Sequence, residues 1–473
     1  MTPSPQSVQI AIISGEASGD RVGAQLAREI HHLRPGWELF GTGGKHLRDA
    51  GVELLVDSSR WGVVGVAQGL ALLPKIIAAS SDLKTQLQRR KPSLIIPIDA
   101  GAFNLGFAGM QGLCPWARQH MPETAILYYF PPGSWRRILK RTSLKENTDL
   151  VATPFPWSES ELIRLGVNAQ FVGHPLLDLV APSEPPATFA DRFGIETEHP
   201  VVGLFPGSRR AEIEHILPAQ LMAAEIIRRR VPGVQFLIAL ASTVDKEAVF
   251  EQVEKYQAFL RARQSKDTER GEVERRLREW EEATGIGGGR VPVSADGQFA
   301  APEDLVRRQK KWIQKASGLP EPEGPLPLVL VEDMAYDVMT ASDVVIMASG
   351  TATLEAAILG KPMVILYKMS RWNKPQYWLV RKSLPPYIGL PNLLADKRIV
   401  PEFVQDDATP DALAESVIDY LLEPDRMLRT REDLAAVRAL LGKPGGAPPT
   451  PPQAVYHGER QKHGNGSAIG TVK

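Results

Sequence analysis

Val344-Val345-Ile346-Met347-Ala348-Ser349-Gly350-Thr351-Ala352-Thr353-Leu354-Glu355-Ala356-Ala357-Ile358-Leu359-Gly360-Lys361-Pro362 decides how the rest of the chain is read. An apolar run ends in a turn of small residues, and an Ala-rich helix follows at once. The run has the pattern of a buried parallel strand. Ser349, Gly350 and Thr351 form the turn, and their small side chains leave the first helical N–H groups open to an anion. Thr353 and Glu355 open the helix, and a carboxylate such as Glu355 can accept two O–H donors at once, as from the hydroxyl pair of a sugar. Phosphate on the turn and ribose on the carboxylate would together make a nucleotide site. The stretch also fits a plain strand-to-helix connection capped by Ser or Thr. A fold-level pattern does not choose between the two.

Working outward, the bounds are those of a two-domain α/β protein. The chain has 473 residues, enough for two domains. Its apolar fraction of 43% is ordinary for a globular chain. Lys and Arg total 55 and Asp and Glu total 55, so charge gives no argument for a nucleic-acid partner. The single cysteine, Cys114, excludes a disulfide within one chain and a zinc site built from several of its cysteines; it fits a reducing compartment. The first residues carry no charged n-region, and Val8–Ile13 is too short for a signal core. No segment has the apolar length of a membrane span, so any membrane contact is expected to be peripheral.

The N-terminal half repeats a strand, small-residue turn and helix. Val8–Ile13 reads as a first strand, Ser14-Gly15-Glu16-Ala17-Ser18-Gly19-Asp20 as its turn, and Val22–Leu33 as a helix. This is the grammar of a doubly wound domain, although the glycine spacing is not the dinucleotide fingerprint. Glu16 and Asp20 would repel a pyrophosphate; they face sugar hydroxyls or an interdomain cleft, or Asp20 merely sits near a helix start. Another buried strand, Ser93–Pro97, runs into Ile98-Asp99-Ala100-Gly101-Ala102-Phe103-Asn104. Open α/β sheets place ligands at such C-terminal strand ends, and Asp99 can equally be a cap or turn residue. Trp135, Arg136 and Arg137 form a basic patch with an aromatic, which a solvated face also explains. Gly173-His174-Pro175 turns the chain toward its second half, and His174 taken alone fits a structural turn histidine.

Pro182–Ala187 is Pro-rich and reads as an interdomain hinge. Val201–Phe205 then restarts the pattern, followed by Pro206-Gly207-Ser208-Arg209-Arg210 and a helix. Arg209 beside a small turn at a strand end suits a phosphate, because a guanidinium presents two donors in one plane; the plainer reading is a surface ion pair. A strongly charged insertion, about 256–325, carries no assigned chemistry. The segment around Trp372 and Trp378 mixes aromatics with basic residues, which suits an anionic lipid surface or a subunit contact. From Gly442 the composition is that of a disordered tail.

Six blocks in fixed order carry a resemblance. Ser14–Asp20, Ile98-Asp99-Ala100 with Phe103-Asn104, and Gly173-His174-Pro175 resemble the N-terminal half of the lipid-A-disaccharide synthase family. Pro206–Arg209, Ala348–Glu355 and Leu390-Pro391-Asn392-Leu393-Leu394 resemble its C-terminal half. The resemblance runs from Ile10 to Leu441 apart from the insertion, and it admits a divergent member of the family. It implies a GT-B fold, two Rossmann-like doubly wound parallel-sheet domains facing a cleft. The implied organisation is an acceptor domain over 1–178, a UDP-sugar domain over 179–370, closing helices over 371–441 and a tail over 442–473.

The family joins UDP-2,3-diacylglucosamine to 2,3-diacylglucosamine 1-phosphate with inversion, giving a β-1,6 disaccharide and UDP. No metal or cofactor is implied, since Arg209 and helix N-termini would stabilise the departing UDP. By resemblance Asp99 is the base. Gly207, Ser208, Arg209, Ser349, Gly350, Thr351, Thr353 and Glu355 hold the nucleotide. Glu16, Ser18, Asp20, Asn104, His174 and Asn392 lie on the sugar or acceptor side. Trp135, Arg136, Arg137, Trp372 and Trp378 touch lipid. The implied partners are a UDP-sugar donor, a lipid-linked sugar phosphate acceptor and an anionic membrane met peripherally on the cytoplasmic side of the inner membrane, with a homodimer possible and no nucleic acid.

Three positions depart from the family pattern. Asp-Ala-Pro-Asp-Phe-Asn is here Asp99-Ala100-Gly101-Ala102-Phe103-Asn104, Ser-Pro-Ser-Val-Trp-Ala-Trp is here Phe130–Arg137, and a usual glutamate is Gln68. These leave open a relative acting on another lipid sugar, a non-catalytic UDP or lipid binder, and a UDP-sugar epimerase.

Overall fold

The computed structural model describes residues 8–15, 17–58, 66–107, 109–131, 144–241, 244, 246–264, 326–368 and 386–443; at 17, 18, 66–76, 107, 211 and 260–264 it describes the backbone alone. Glu16, Trp135, Arg136, Arg137, Trp372 and Trp378 lie outside the described residues, as do most of the insertion and the tail beyond Lys443. The chain divides into two compact units, Met1–Asp178 with Leu440–Lys473, and Leu179–Ala439.

The first unit is built on β1 (Gln9–Ser14), β2 (Glu38–Gly43), β3 (Glu53–Asp57), β4 (Leu94–Ile98), a short hairpin of β5 (Gly106–Phe107) and β6 (Met110–Gln111), β7 (Ala125–Tyr129), β8 (Leu150–Thr153) and β9 (Ala169–Phe171). Seven of these strands form one parallel sheet in the order β3-β2-β1-β4-β7-β8-β9. Ile10–Ile13, Ile95, Ile126, Tyr128 and Val151 are buried, as strands covered on both faces require. The edge strand β3 escapes a reading for buried runs: its ends, Glu53 and Asp57, are exposed and its middle is only half-buried.

The second unit carries β10 (Val201–Phe205), β11 (Gln235–Leu240), β12 (Leu328–Glu332), β13 (Val344–Ala348), β14 (Met363–Tyr367) and β15 (Glu402–Val404). These form a parallel sheet in the order β12-β11-β10-β13-β14-β15. In both units the chain builds outward from its first strand, then returns to the other side of that strand. The first strand and its later neighbour therefore flank a topological switch point, where crossover helices diverge and strand ends stay open. The pairs are β1 with β4, and β10 with β13.

Two expectations are corrected here. The helix after β1 spans Ala17–Leu33, starting before Val22, so most of the expected turn is helical. Gly15, Gly19 and Gly23 make this close approach possible. A Cβ at each would stand 2.8 Å from Ala100 Cβ, 2.8 Å from Ser14 Oγ and 2.9 Å from Ile98 Cδ1. Within the expected hinge, Ser183 and Glu184 are fastened to buried Asp337, whose Oδ1 accepts Ser183 N at 2.7 Å and Glu184 N at 3.1 Å. The helix Pro186–Phe193 starts inside the same segment, where proline is already set for a first turn.

Asp20 is corrected too. Its carboxylate is buried and accepts backbone N–H groups of Gly44 at 2.6 Å, His46 at 3.0 Å and Leu47 at 3.1 Å. The helix Lys45–Asp49 has no capping side chain of its own, and Asp20 supplies the cap from the neighbouring helix. We expect Asp20→Ala to lower stability by about 1–3 kcal/mol, because three amides lose their acceptor inside the fold. Urea unfolding checks this, and a midpoint equal to wild type would refute the capping role.

Candidate functional site

Each unit presents several of its candidate residues at its own switch point. In the second unit the C-terminal ends of β10, β13 and β14 are level, with Phe205 opposite Met347 and Ala348 opposite Leu366. The chain therefore leaves the three strands side by side, through Pro206–Arg209, Ser349–Thr351 and Lys368. Ser349 Oγ donates to Ile388 O at 2.9 Å, and Thr353 Oγ1 donates to Gly350 O at 2.7 Å. Neither hydroxyl caps the helix Ala352–Ile358. Gly350 is exposed, and a Cβ there would meet nothing within 4 Å.

Gly207 has φ +112°, and a Cβ on it would lie 2.4 Å from Glu212 Oε2, so glycine alone fits. Glu212 Oε1 accepts from Arg209 Nη1 at 2.8 Å, and its Oε2 accepts from Ser208 N at 3.0 Å. Sequence reasoning passed over Glu212, though a glutamate in the first turn of a helix reaching back to the preceding loop is a known end signal. One carboxylate thus fixes both donors proposed for a phosphate. Tyr367 stands close enough that burial first, then Glu212, raises its hydroxyl above the ordinary range, with Arg209 opposing. Burial, aided by Lys368 and opposed by Glu214, lowers His215.

Glu355 is buried, and its Oε1 accepts the Tyr336 hydroxyl at 2.9 Å. Asn392, expected toward the sugar, is fully buried and turned inward: Oδ1 accepts Ile399 N at 2.8 Å and Val400 N at 3.0 Å, while Nδ2 donates to Val400 O at 2.9 Å and Glu402 Oε2 at 3.0 Å. Its amide is saturated by the loop it folds, which corrects the sugar-side expectation. Glu402 also accepts Ile388 N at 3.2 Å and Gly389 N at 3.0 Å, and so shapes the loop that receives Ser349.

In the first unit the switch point brings Ser14 and Gly15 beside Asp99 and Ala100, with Ser14 opposite Ile98 in register. Asp99 has φ +47°, Ala100 +45° and Phe130, at the end of β7, +54°. Such left-handed non-glycine residues cost of order 1–3 kcal/mol each and collect at functional sites. Asp99 O accepts Tyr128 Oη at 2.7 Å and Asn104 Nδ2 at 2.8 Å. Asn104, expected on the acceptor side, is completely buried, so it acts on the backbone of Asp99 and cannot reach outward. Ser18 lies in the first turn of the helix after β1; its side chain is outside the described residues. Tyr128 was passed over in the sequence because a tyrosine within an apolar strand reads as core.

His174 is likewise interior. It is 2% exposed, its ring meets Phe130 edge-on at 4.9 Å and lies 5.3 Å from Phe155, and Nδ1 accepts Leu176 N at 3.2 Å. Its own N–H donates to Leu441 O at 2.9 Å, fastening the returning chain to this unit. A ring this buried, packed between two aromatics and with Nδ1 engaged by backbone, stands in the fabric of the unit, which corrects its acceptor-side placement.

Two parallel α/β sheets of this topology, with the Asp99 carboxylate at one switch point and a glycine turn with a guanidinium at the other, have the build of a GT-B glycosyltransferase. The family model for lipid-A-disaccharide synthetase matches residues 10–273 and 304–443. The lipid-A-disaccharide synthase of Geobacter sulfurreducens is 35% identical over 93% of this chain and 94% of its own length. That of Geobacter metallireducens is 33% identical over 92% and 94%. Among solved structures, the glycotransferase of kitacinnamycin is similar in fold at TM-score 0.50 and 14% identity, covering 97% of this chain and all of its own (100%). The chain belongs to the lipid-A-disaccharide synthetase family.

Burial lowers the His174 pKa from its ordinary value to about 3. The unfolded histidine titrates near ~6.5, so below that pH the unfolded chain binds the extra proton and stability falls toward pH 3. We expect His174→Asn to flatten this dependence by about 1 kcal/mol between pH 7.5 and 5.5. Urea unfolding of both proteins across that range measures it; parallel curves would show that His174 is not the group responsible.

Proposed function

We propose that this chain is an inverting glycosyltransferase joining UDP-2,3-diacylglucosamine to 2,3-diacylglucosamine 1-phosphate, with release of UDP. Family membership makes it a glycosyltransferase of lipid A biosynthesis. The single observation that carries the finer reading is a family match spanning both units, with the matched motifs at both switch points. In the proposed reaction the acceptor 6-hydroxyl oxygen bonds to the donor C1, the bond from C1 to the UDP oxygen breaks, and the hydroxyl proton passes to Asp99.

The second unit would hold UDP, its phosphates on Gly207, Ser208 and Arg209 and on the turn Ser349, Gly350 and Thr351, with Thr353 shaping that turn and Glu355 on the ribose. Arg209 supplies positive charge where negative charge develops on the leaving group. Glu16 and Ser18 stay as proposed sugar-side residues. A lipid-linked acceptor implies work at an anionic membrane on the cytoplasmic face, met through Trp135, Arg136, Arg137, Trp372 and Trp378; a homodimer is part of the same proposal. No described helix is long and apolar enough to cross a membrane.

Mass spectrometry of the lipid formed from this donor and acceptor tests the reading. The disaccharide 1-phosphate and one UDP per turnover are expected. UDP binding without transfer across several lipid sugars would make the chain a binder instead, and epimerised donor would make it an epimerase. Arg209→Ala should weaken UDP binding by about 1–2 kcal/mol, the lower part of the range for charged hydrogen bonds because Arg209 is partly exposed. Calorimetry measures it; an unchanged Kd removes Arg209 from the phosphate site.

A further inference from the structure

We propose that Tyr128 is a positioning residue for the reaction: with Asn104 it clamps the Asp99 carbonyl and so holds the base in its left-handed turn. The inference rests on the reading of Asp99 as the base. It starts from the strain. Asp99 and Ala100 are consecutive non-glycine residues at φ +47° and +45°, and Phe130 on the adjacent strand end is at +54°. A side chain does not hold such a backbone unless its surroundings over-determine it.

The surroundings do so here. One carbonyl oxygen, that of Asp99, receives two side-chain donors, Tyr128 Oη at 2.7 Å and Asn104 Nδ2 at 2.8 Å. They come from different elements, β7 and the helix Gly101–Leu105, so the strained residue is gripped from the neighbouring strand and from the helix that follows it. The Asp99 N–H closes a third side, toward Phe130 O at 3.2 Å. Both gripping side chains are 0% exposed. Tyr128 is packed in the core of the sheet, which fixes where its hydroxyl can stand. Burial drives that hydroxyl well above the ordinary phenol range, so it remains a donor.

The cost of the arrangement points the same way. Asn104 Oδ1 is buried with no partner among the described residues, while its Nδ2 holds Asp99. A side chain selected for stability alone would pair both ends of its amide. The consequence for the base follows from strand geometry. An extended Asp99 would continue the alternation of β4 and turn its carboxylate toward one sheet face. The left-handed turn takes it out of that alternation, at the switch point where a ligand has access.

The test compares wild type, Asp99→Asn, Tyr128→Phe and Asn104→Ser as full-length proteins, with UDP-2,3-diacylglucosamine and 2,3-diacylglucosamine 1-phosphate as substrates. Tyr128→Phe should lower kcat at least tenfold, leave the Kd for UDP within twofold, and displace the acid limb of the kcat–pH profile. Asn104→Ser should act in the same direction, which keeps the test open if one variant fails to fold. A merely structural role would reduce the active fraction and leave the pH limb in place. Inactive Asp99→Asn beside Tyr128→Phe and Asn104→Ser with kcat within twofold of wild type overturns the clamp alone. A lost kcat with an unmoved pH limb also overturns it. Full turnover by Asp99→Asn overturns the base assignment and the clamp with it.

Discussion

The structure depends on a constraint at the open ends of its parallel strands. A strand buried on both faces must still satisfy its last carbonyls and amides, and at a switch point no crossover helix covers them. Each unit answers with side chains that reach from outside the strand. In the first, Thr42 Oγ1 donates to Ser14 O at 2.9 Å, and Tyr128 and Asn104 donate to Asp99 O. In the second, Ser349, which follows β13, donates Oγ to the loop carbonyl of Ile388 at 2.9 Å. The polar residues at these ends therefore divide into those that finish the fold and those left for a ligand.

That division was only partly legible in the sequence. The apolar runs at Val8–Ile13, Val201–Phe205 and Val344–Ala348 announced parallel strands, because doubly covered strands need continuous apolar residues. The small-residue turns after them marked the switch points. Residue type could not tell an inward carboxylate from an outward one. Asp20, Asn392 and His174 stand in the same kinds of motif as Asp99 and Arg209, yet all three are buried in the fabric of their unit. What separates them is the set of backbone amides and rings that folding brings within reach, from residues far away in the chain. Tyr128, Tyr336 and Glu402 were missed for the converse reason: each sits in a strand or helix whose local pattern explains it as packing.

Electrostatics at the second switch point follow the same logic. Glu212 places a carboxylate on Ser208 N and Arg209, the donors that a phosphate would meet. An anion arriving there finds a guanidinium already oriented by its neighbour; among the described residues Glu212 engages one nitrogen of its fork. Preorganisation of this kind lowers the cost of ordering on binding. It also explains why Gly207 must be glycine: the loop folds over the Glu212 side chain with no room for a Cβ.

The departures from the family pattern are best weighed against the clamp on Asp99. Where the family has proline and aspartate after Asp-Ala, this chain has Gly101 and Ala102. Proline at a helix start presets φ, and glycine gives that rigidity up. The turn nonetheless keeps its left-handed pair, because its geometry is imposed through the Asp99 carbonyl by Tyr128 and Asn104 and not by the residue at 101. Ala102 is exposed, so the missing carboxylate changes the surface beside Asp99 without touching its supports. The substitutions therefore bear on what the surface beside Asp99 offers a substrate, while the aim of Asp99 itself is held from inside the sheet.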